Sequence, residues 1–234
     1  MKSLFFSKSG QSILEYSLIA AVFVLVVIAS VPGLRNSVIS VFSQTQTTLE
    51  NASELSSSSD YVYEEGFDNL DNWSISRGDY EVDDQGRLTN TSNGEGRIFT
   101  DYSGDDFQMN IDVAQLTQGQ GYGIWFRASE TGEDEDINGY TFQYDPGYGS
   151  GAFLLRKWED GRESSPFGRV NAPDYDWNAV HNVSLHVEGD IFTAFIDGEA
   201  VVTGSDDTYQ TGEVGFRTWG SSRSYFDNIT IEED

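Results

Sequence analysis

The chain of 234 residues carries 39 Asp and Glu against 13 Lys and Arg, which gives it a net charge of −26 at neutral pH. Nucleic acids and anionic lipid surfaces are bound through basic footprints, so this balance argues against both as partners. The sequence contains no cysteine, which excludes disulfide bonds and thiolate metal sites. Apolar residues make up 38% of it, enough to build a core.

The N-terminal part of the sequence reads as a short leader followed by one long helix. Residues 1–10 contain two lysines and end in a glycine. Residues 11–50 carry few charges, and their pattern is apolar on all sides at first and amphipathic later, which is typical of a long helix. Pro32 is expected to bend or loosen this helix. Residues 51–60, NASELSSSSD, are interpreted as a serine-rich linker.

One acidic residue, Glu15, lies at the start of the apolar run. Cleavage after Gly10 gives Gln11 a free amine, protonated below about pH 8. A glutamate centred in a membrane helix costs about 2–3 kcal/mol. In a staggered bundle of helices, Glu15 can pair with the amine of a neighbouring subunit and so set the register. Two alternatives remain, an ordinary secretory signal peptide and a permanent single-span anchor.

The leader ending in Gly10, the apolar helix, and the adjacent Glu15 and Tyr16 resemble the class III signal of type IV pilins, most of all the Flp/Tad branch. This resemblance covers residues 1–35. It implies a prepilin peptidase that cuts between Gly10 and Gln11, and assembly with identical or related subunits through Glu15 and Tyr16. The implied location is the inner (cytoplasmic) membrane before assembly and an extracellular pilus on the cell surface afterwards. Gln11 departs from the phenylalanine of larger pilins, which leaves N-methylation open.

The sequence changes character from Tyr61 onward. Short segments of alternating apolar and polar residues, such as FQMNIDVAQL, YTFQYD and YFDNITIEE, are separated by Gly, Asp and Asn. Strands at this spacing, with no helical period, predict an antiparallel β-sandwich. The predicted fold is thus a long N-terminal α-helix plus an all-β head over residues 61–234. The head is expected to fold alone around a core that includes Ile124, Phe126, Phe142, Phe195 and Phe216.

Four stretches of the head, GYGIWFRA, NGYTFQYD, HNVSLHVEGDIFTAFIDGEAVV and GEVGFRTWGSSRSYFDNITI, resemble the concanavalin A-like lectin/glucanase superfamily. Its laminin-G-like and fructan-binding branches are the most similar. The stretches are patterns of strand and turn, so they indicate a fold more than a ligand. The resemblance implies a jelly-roll sandwich whose concave sheet binds glycans.

Strand alternation assigns a set of aromatic and polar side chains to the outer surface of the head. Indole rings stack on the apolar faces of sugars, and guanidinium or amide groups bind sugar hydroxyls. Arg156 and Trp158 join the set in one register of AFLLRKW. The alternative is that the tryptophans pack at the rim and the arginines pair with surplus carboxylates. The superfamily resemblance implies a carbohydrate-binding surface made of Trp125, Arg127, Gln143, Arg217 and Trp219.

Catalysis and metal binding have weaker signals. The glucanase relatives carry Glu-x-Asp-x-x-Glu on a strand, whereas the nearest string here, EDED at 133–136, lies in a polar loop. His181 and His186 have no nucleophile motif beside them, so the protein is predicted not to be an enzyme. Many sandwiches of this superfamily bind Ca²⁺ where the first and last strands meet, and the resemblance places that site at Glu65 and Asp227.

These observations predict a structural subunit of a type IV-like surface pilus, with an outward lectin-like head that binds glycans and mediates adhesion. One alternative is an inert acidic coat on a structural pilin. The other is a secreted or membrane-anchored glycan-processing protein.

Overall fold

The computed structural model describes residues 61–131 and 136–233. In this part of the chain the regular elements are β-strands, in agreement with the predicted all-β head. The strands are Tyr61–Glu65 (β1), Trp73–Arg77 (β2), Tyr80–Val82 (β3), Leu88–Asn90 (β4), Gly96–Gly104 (β5), Phe107–Gln118 (β6), Tyr122–Thr131 (β7), Asp136–Asp145 (β8), Ala152–Glu159 (β9), Arg162–Glu163 (β10), Gly168–Asn171 (β11), His181–Glu188 (β12), Ile191–Ile196 (β13), Glu199–Ser205 (β14), Gly212–Thr218 (β15) and Arg223–Glu233 (β16).

The described strands form two sheets whose pairings are antiparallel. Sheet A runs β14-β13-β12-β6-β16-β4-β3, and β1 also pairs with β16. Sheet B runs β10-β9-β8-β7-β15-β5-β2, and β11 also pairs with β9. Because neighbours such as β6 and β16, or β7 and β15, are far apart in sequence, the chain crosses repeatedly between the sheets. The result is a jelly-roll sandwich, as predicted.

The core lies between the two sheets. Ile124, Phe126, Phe142 and Phe216 are fully buried there, in agreement with the alternation of their strands. The prediction for Phe195 is wrong, because β13 buries Phe192, Ala194 and Ile196 instead. Phe195 is partly exposed on the outer face of sheet A, where its ring lies 4.4 Å from that of His186. Because side chains alternate between the two faces of a strand, choosing the wrong face for one residue assigns every side chain of that strand to the wrong face.

Residues Asp60–Asp234 form a compact unit by themselves. The predicted leader, helix and linker at 1–60 lie outside the described residues, so those boundaries stay predictions. Within residues 61–131 and 136–233, no helix is long and apolar enough to cross a membrane.

Candidate functional site

The outer face of sheet B carries an aromatic cluster of its own. Alternation along β7, β8 and β15 sends Ile124, Phe142 and Phe216 into the core and leaves the intervening residues on the opposite face. On that outer face Phe99, Trp125 and Trp158 pack together with two smaller apolar residues. The Trp125 and Trp158 rings meet edge-on with centroids 5.1 Å apart. These packed side chains form an aromatic layer on the outer face of sheet B, which we call the aromatic floor.

An open cleft of about 480 Å³ lies beside this floor. Its size falls within the range usual for small-molecule sites. Residues from β2, β5, β8, β9, β10 and β15 meet there, because these strands are neighbours in sheet B. The lining consists of Arg77, Glu95, Arg97, Gln143, Asp145, Trp158, Gly161, Glu163, Arg217 and Trp219.

Arg217 is the central side chain of the cleft. Its guanidinium carbon lies 4.4 Å from the Trp158 ring centroid, 4.7 Å from that of Trp219 and 5.8 Å from that of Trp125. A cation over indole faces is stabilised by the ring quadrupole. Burial lowers the pKa of Arg217 from its usual value, with the neighbouring carboxylates acting in the opposite direction.

Two carboxylates hold the Arg217 guanidinium in place. Nη1 donates to Glu163 Oε1 at 3.0 Å and to Gln143 Oε1 at 3.3 Å. Nη2 lies 3.5 Å from Glu95 Oε1. Glu95 also contacts Arg97 Nε at 3.1 Å and Arg77 Nη1 at 3.6 Å. Because donors and acceptors are fixed before any ligand arrives, the cleft is preorganised for a polar ligand.

Two glycines make room for the side chains above strand β7. A Cβ at Gly123 would come within 2.8 Å of the Arg217 side chain, and one at Gly121 would overlap the Trp219 ring. Gly121 also has a φ of +136°. Ser222 fixes the same corner, because its hydroxyl accepts from the Gly121 amide at 3.2 Å and donates to the Trp219 carbonyl. The position of the partly exposed Trp219 ring is therefore set by its surroundings.

The structure brings three of the five predicted carbohydrate-binding residues together. Gln143, Arg217 and Trp219 line the cleft. Trp125 lies on the predicted face but is fully buried, so it supports the floor without exposed surface of its own. Of the two residues considered in addition, Trp158 lines the cleft.

Arg127 lies away from the cleft, contrary to the alternation of YGIWFRA. The pairing of β7 with β8 shifts register between Phe126 and Ser129, and Arg127 has a φ of +46° within this bulge. Its side chain is turned to the end of the sandwich, where it is almost completely buried, with 1% of its surface exposed. There Nε donates to the Asp105 carbonyl at 3.0 Å and Nη2 to Asp106 at 2.9 Å.

The predicted calcium residues are occupied by protein contacts. Glu65 accepts from the Phe67 amide at 2.7 Å and from the Trp73 indole at 2.9 Å. Asp227 accepts from the Asn228 amide at 2.8 Å, and burial raises its pKa. Among the described residues, no cluster of three or more His, Asp or Glu side chains is arranged to hold a metal ion. The assignment of calcium to Glu65 and Asp227 therefore stays a prediction.

The histidines have structural surroundings. His181 bonds to Asp197 at 2.7 Å and to the Asp176 carbonyl at 2.9 Å, while His186 packs on Phe195. Neither histidine lines the cleft. Of the acidic string at 133–136, only the last residue is described.

Sequence reasoning missed Glu95 and Glu163. For Glu163 a signal was available, because Asp160-Gly161 is a typical hairpin turn and both residues have positive φ, 48° and 69°. This turn pairs Glu163 with Trp158 and so places the carboxylate on the cleft face. Glu95 precedes β5 in a polar loop, and no local pattern distinguishes it from the other carboxylates of the chain.

The fold and the cleft define the class of this protein as a concanavalin A-like jelly-roll sandwich with a polar and aromatic cleft on one outer sheet face. Residues 63–232 match the family model described as the 3-keto-alpha-glucoside-1,2-lyase-like domain, and the chain belongs to this family. A comparison with curated protein sequences finds no match.

Solved structures share the fold. The carbohydrate-binding module CBM66 from Bacillus subtilis is similar with a TM-score of 0.59 and 24% identity over 70% of this chain and 98% of that one. The β-glucanase of Bacillus licheniformis is similar with a TM-score of 0.55 and 10% identity over 74% and 98% of the two chains. The κ-carrageenase of Pseudoalteromonas carrageenovora has a TM-score of 0.52 and 10% identity over 73% and 92%.

These comparisons correct one prediction. The prediction that the protein is not an enzyme is contradicted, because the family is named for a lyase-like domain and the same fold includes glycoside hydrolases. The resemblance to a concanavalin A-like sandwich is confirmed. The family match covers residues 63–232, so the pilus assignment depends on the resemblance of residues 1–35.

Proposed function

We propose that the cleft on the outer face of sheet B is a saccharide-binding site. The observation that carries this proposal is Arg217, held among three indole rings and between two carboxylates in an open cleft. The Trp219 ring offers a flat apolar surface for the C–H face of a sugar. Glu95, Glu163 and Asp145 offer acceptors for hydroxyl groups, and guanidinium groups offer donors.

The comparisons support a glycan as the ligand. The family is named for a 3-keto-glucoside lyase-like domain, and similar structures include a carbohydrate-binding module and a β-glucanase. Single saccharide sites are shallow and wet, so we expect dissociation constants of about 1 μM to 1 mM, or roughly −8 to −4 kcal/mol.

A glycan array with the full-length chain in a mild detergent tests this proposal. Wild type is compared with Trp219→Ala, which removes the partly exposed ring, and with Phe195→Ala as a control on the outer face of sheet A. We expect Trp219→Ala to lose most binding and Phe195→Ala to keep it. Absence of binding to any glycan by wild type would reject the proposal.

The family match favours a second candidate, in which the bound saccharide is also cleaved. A 1,2-lyase reaction on a 3-keto-glucoside removes the C2 proton, which the neighbouring ketone acidifies. The electron pair then forms the C1–C2 double bond as the C1–O bond breaks, and the departing oxygen takes a proton. This chemistry needs a base, an acid and a cation near the enolate oxygen. Glu163 and Glu95 are the candidates for proton transfer, and Arg217 lies between them.

Cleavage is measured as nitrophenol release from a nitrophenyl 3-keto-α-glucoside. We expect Glu163→Gln or Glu95→Gln to slow release about 100-fold or more, as is usual for lost acid–base catalysis. Glu188→Gln, an exposed glutamate at the end of β12, is the control. If wild type releases no nitrophenol while it binds glycans, the cleft binds without cleaving.

The N-terminal sequence supports a finer proposal, namely that the head is displayed on a surface filament. A peptidase cut between Gly10 and Gln11 and pairing through Glu15 are the chemistry on which it depends. N-terminal sequencing of the mature protein tests it. A mature chain that starts at Gln11 supports the filament, whereas a start near Val31 indicates ordinary secretion and rejects it.

A further inference from the structure

Two arginines flank one tyrosine at the edge of sheet B. Tyr148 lies in the turn after β8, and its ring centroid is 5.3 Å from the guanidinium carbon of Arg156 and 4.8 Å from that of Arg169. We refer to Tyr148, Arg156 and Arg169 as the arginine rim. Arg156 lies on β9 and Arg169 on β11, which are neighbouring strands.

The arginine rim continues the lining of the cleft. Arg156 Nε lies 3.6 Å from Oε1 of Glu163, the same oxygen to which Arg217 donates. The turn that carries Tyr148 starts from Asp145, a lining residue, whose carbonyl accepts from the Tyr148 amide at 3.3 Å. Arg169 pairs with Leu154, so alternation puts it on the same sheet face as Arg156. A ligand longer than one sugar ring can therefore extend from the cleft onto the rim.

The charge of the rim is opposite to that of the chain as a whole. The chain holds 39 acidic residues against 13 basic ones. Yet the polar contact of the exposed Arg169 is a neutral amide, with Nη2 donating to Asn171 Oδ1 at 2.9 Å. Among the described residues, no carboxylate lies within 4 Å of its guanidinium. Arg156 is already close to the Glu163 carboxylate and also donates to the Ser164 carbonyl at 2.8 Å, so Arg169 is the rim cation whose charge a ligand anion would neutralise.

We propose that the arginine rim binds the anionic substituent, a carboxylate or a sulfate ester, of a saccharide held in the cleft. This inference rests on the proposed saccharide-binding function and specifies its substrate class as acidic glycans. Planar guanidinium groups bind such oxyanions through paired N–H donors. The Tyr148 ring supplies an apolar surface for the sugar that carries the charge. Because the net charge of −26 repels polyanions, nonspecific attraction does not account for such binding.

Calorimetric titration of the full-length chain in detergent tests the inference. The probes are trigalacturonate and its neutral methyl ester, and a sulfated galactan trisaccharide and its desulfated form. The variants are Arg169→Gln, Arg169→Lys and Arg162→Gln. Arg162 is an exposed arginine of sheet B that pairs with Glu159 and so faces away from the cleft side, which makes its variant a control for overall charge.

We expect wild type to bind at least one acidic probe about tenfold more tightly than its neutral counterpart. Arg169→Gln should remove this preference and leave the affinity for the neutral probe unchanged, and Arg169→Lys should recover part of it. Arg162→Gln should behave as wild type. The better of the two acidic probes identifies the anionic group.

Equal binding of acidic and neutral probes by wild type, or an unchanged preference in Arg169→Gln, would reject anion binding by the arginine rim. Neither result would contradict saccharide binding in the cleft. Binding of neither the acidic nor the neutral probes, together with a blank glycan array, would reject the cleft itself and the rim with it.

Discussion

Arg217 stacks on Trp158, with 4.4 Å between the guanidinium carbon and the ring centroid. The Arg217 side chain is only 7% exposed, so its contacts with the rings and carboxylates decide where its N–H groups point. Glu163 accepts a hydrogen bond from this planar group at 3.0 Å, and Glu95 forms an ion pair with it at 3.5 Å. The shape of the cleft therefore depends on a flat, forked cation rather than on positive charge alone.

Arg217→Lys is expected to weaken saccharide binding even though it keeps the charge. An ammonium group cannot stack on Trp158 while it reaches both carboxylates. We expect a loss of about tenfold or more in affinity, and a fall of roughly 1–3 kcal/mol in the free energy of unfolding, because hydrogen bonds to charged groups are lost. Calorimetric titration and denaturant unfolding measure the two effects. Arg223→Lys, at an arginine bonded to the Ser92 carbonyl, is the matched control. Full affinity in Arg217→Lys would contradict the geometric role.

Two tryptophans of the outer face should respond differently to removal. Trp219 is partly exposed in the lining, so Trp219→Ala should lose binding with a change in unfolding free energy below about 1 kcal/mol. Trp125 is fully buried, so Trp125→Ala should cost about 3–5 kcal/mol in stability. Chemical denaturation and glycan titration of both variants check this contrast. A stable Trp125→Ala protein would show that the aromatic floor is not packed as described.

The all-β sandwich could be predicted from the sequence because its signals are local. Alternation and turn residues fix which side chains of a strand face inward, and Ile124, Phe142 and Phe216 follow that rule. The rule failed where the backbone departs from the regular pleat. The bulge after Phe126 turns Arg127 to the end of the sandwich, and no residue type in YGIWFRA announces it.

The candidate site could be predicted only in part, because its members meet through pairing of distant strands. Strand alternation places three residues on the outer face that do line the cleft, namely Gln143, Arg217 and Trp219. The carboxylates that orient Arg217 come from a loop before β5 and from β10, more than fifty residues away in sequence. Their convergence depends on the order of strands in sheet B, which periodicity does not reveal.

Arg127→Met should destabilise the head without affecting the cleft. Methionine keeps the apolar stem but removes the donors to the Asp105 and Tyr209 carbonyls and the ion pair with Asp106. We expect the free energy of unfolding to fall by about 2–4 kcal/mol. Denaturant unfolding checks the loss, with Arg162→Met as the exposed control. Saccharide affinity at a temperature where the variant is folded should equal that of wild type. A selective loss of affinity with unchanged stability would return Arg127 to the binding surface.

Glu213→Gln should stabilise the protein at neutral pH and have little effect in acid. Burial, and secondarily the nearby Glu130, raises the pKa of Glu213 above its usual value. A carboxyl group with a raised pKa in the folded state binds its proton more tightly there than in the unfolded chain. Its contribution to stability is therefore full below the unfolded pKa and is lost as the pH rises through the folded pKa.

At pH 7.5 the ionised Glu213 carries this cost, whereas glutamine does not. We expect the thermal midpoint of Glu213→Gln to exceed that of wild type by about 2 °C at pH 7.5 and to match it at pH 4. Removing any negative charge from so acidic a chain also relieves general repulsion. Glu188→Gln makes the same change in charge at an exposed position and measures that background. The difference between the two variants isolates the burial of Glu213. If both variants gain equally at pH 7.5, or if the gain of Glu213→Gln is the same at pH 4, the raised pKa is not a feature of the folded protein.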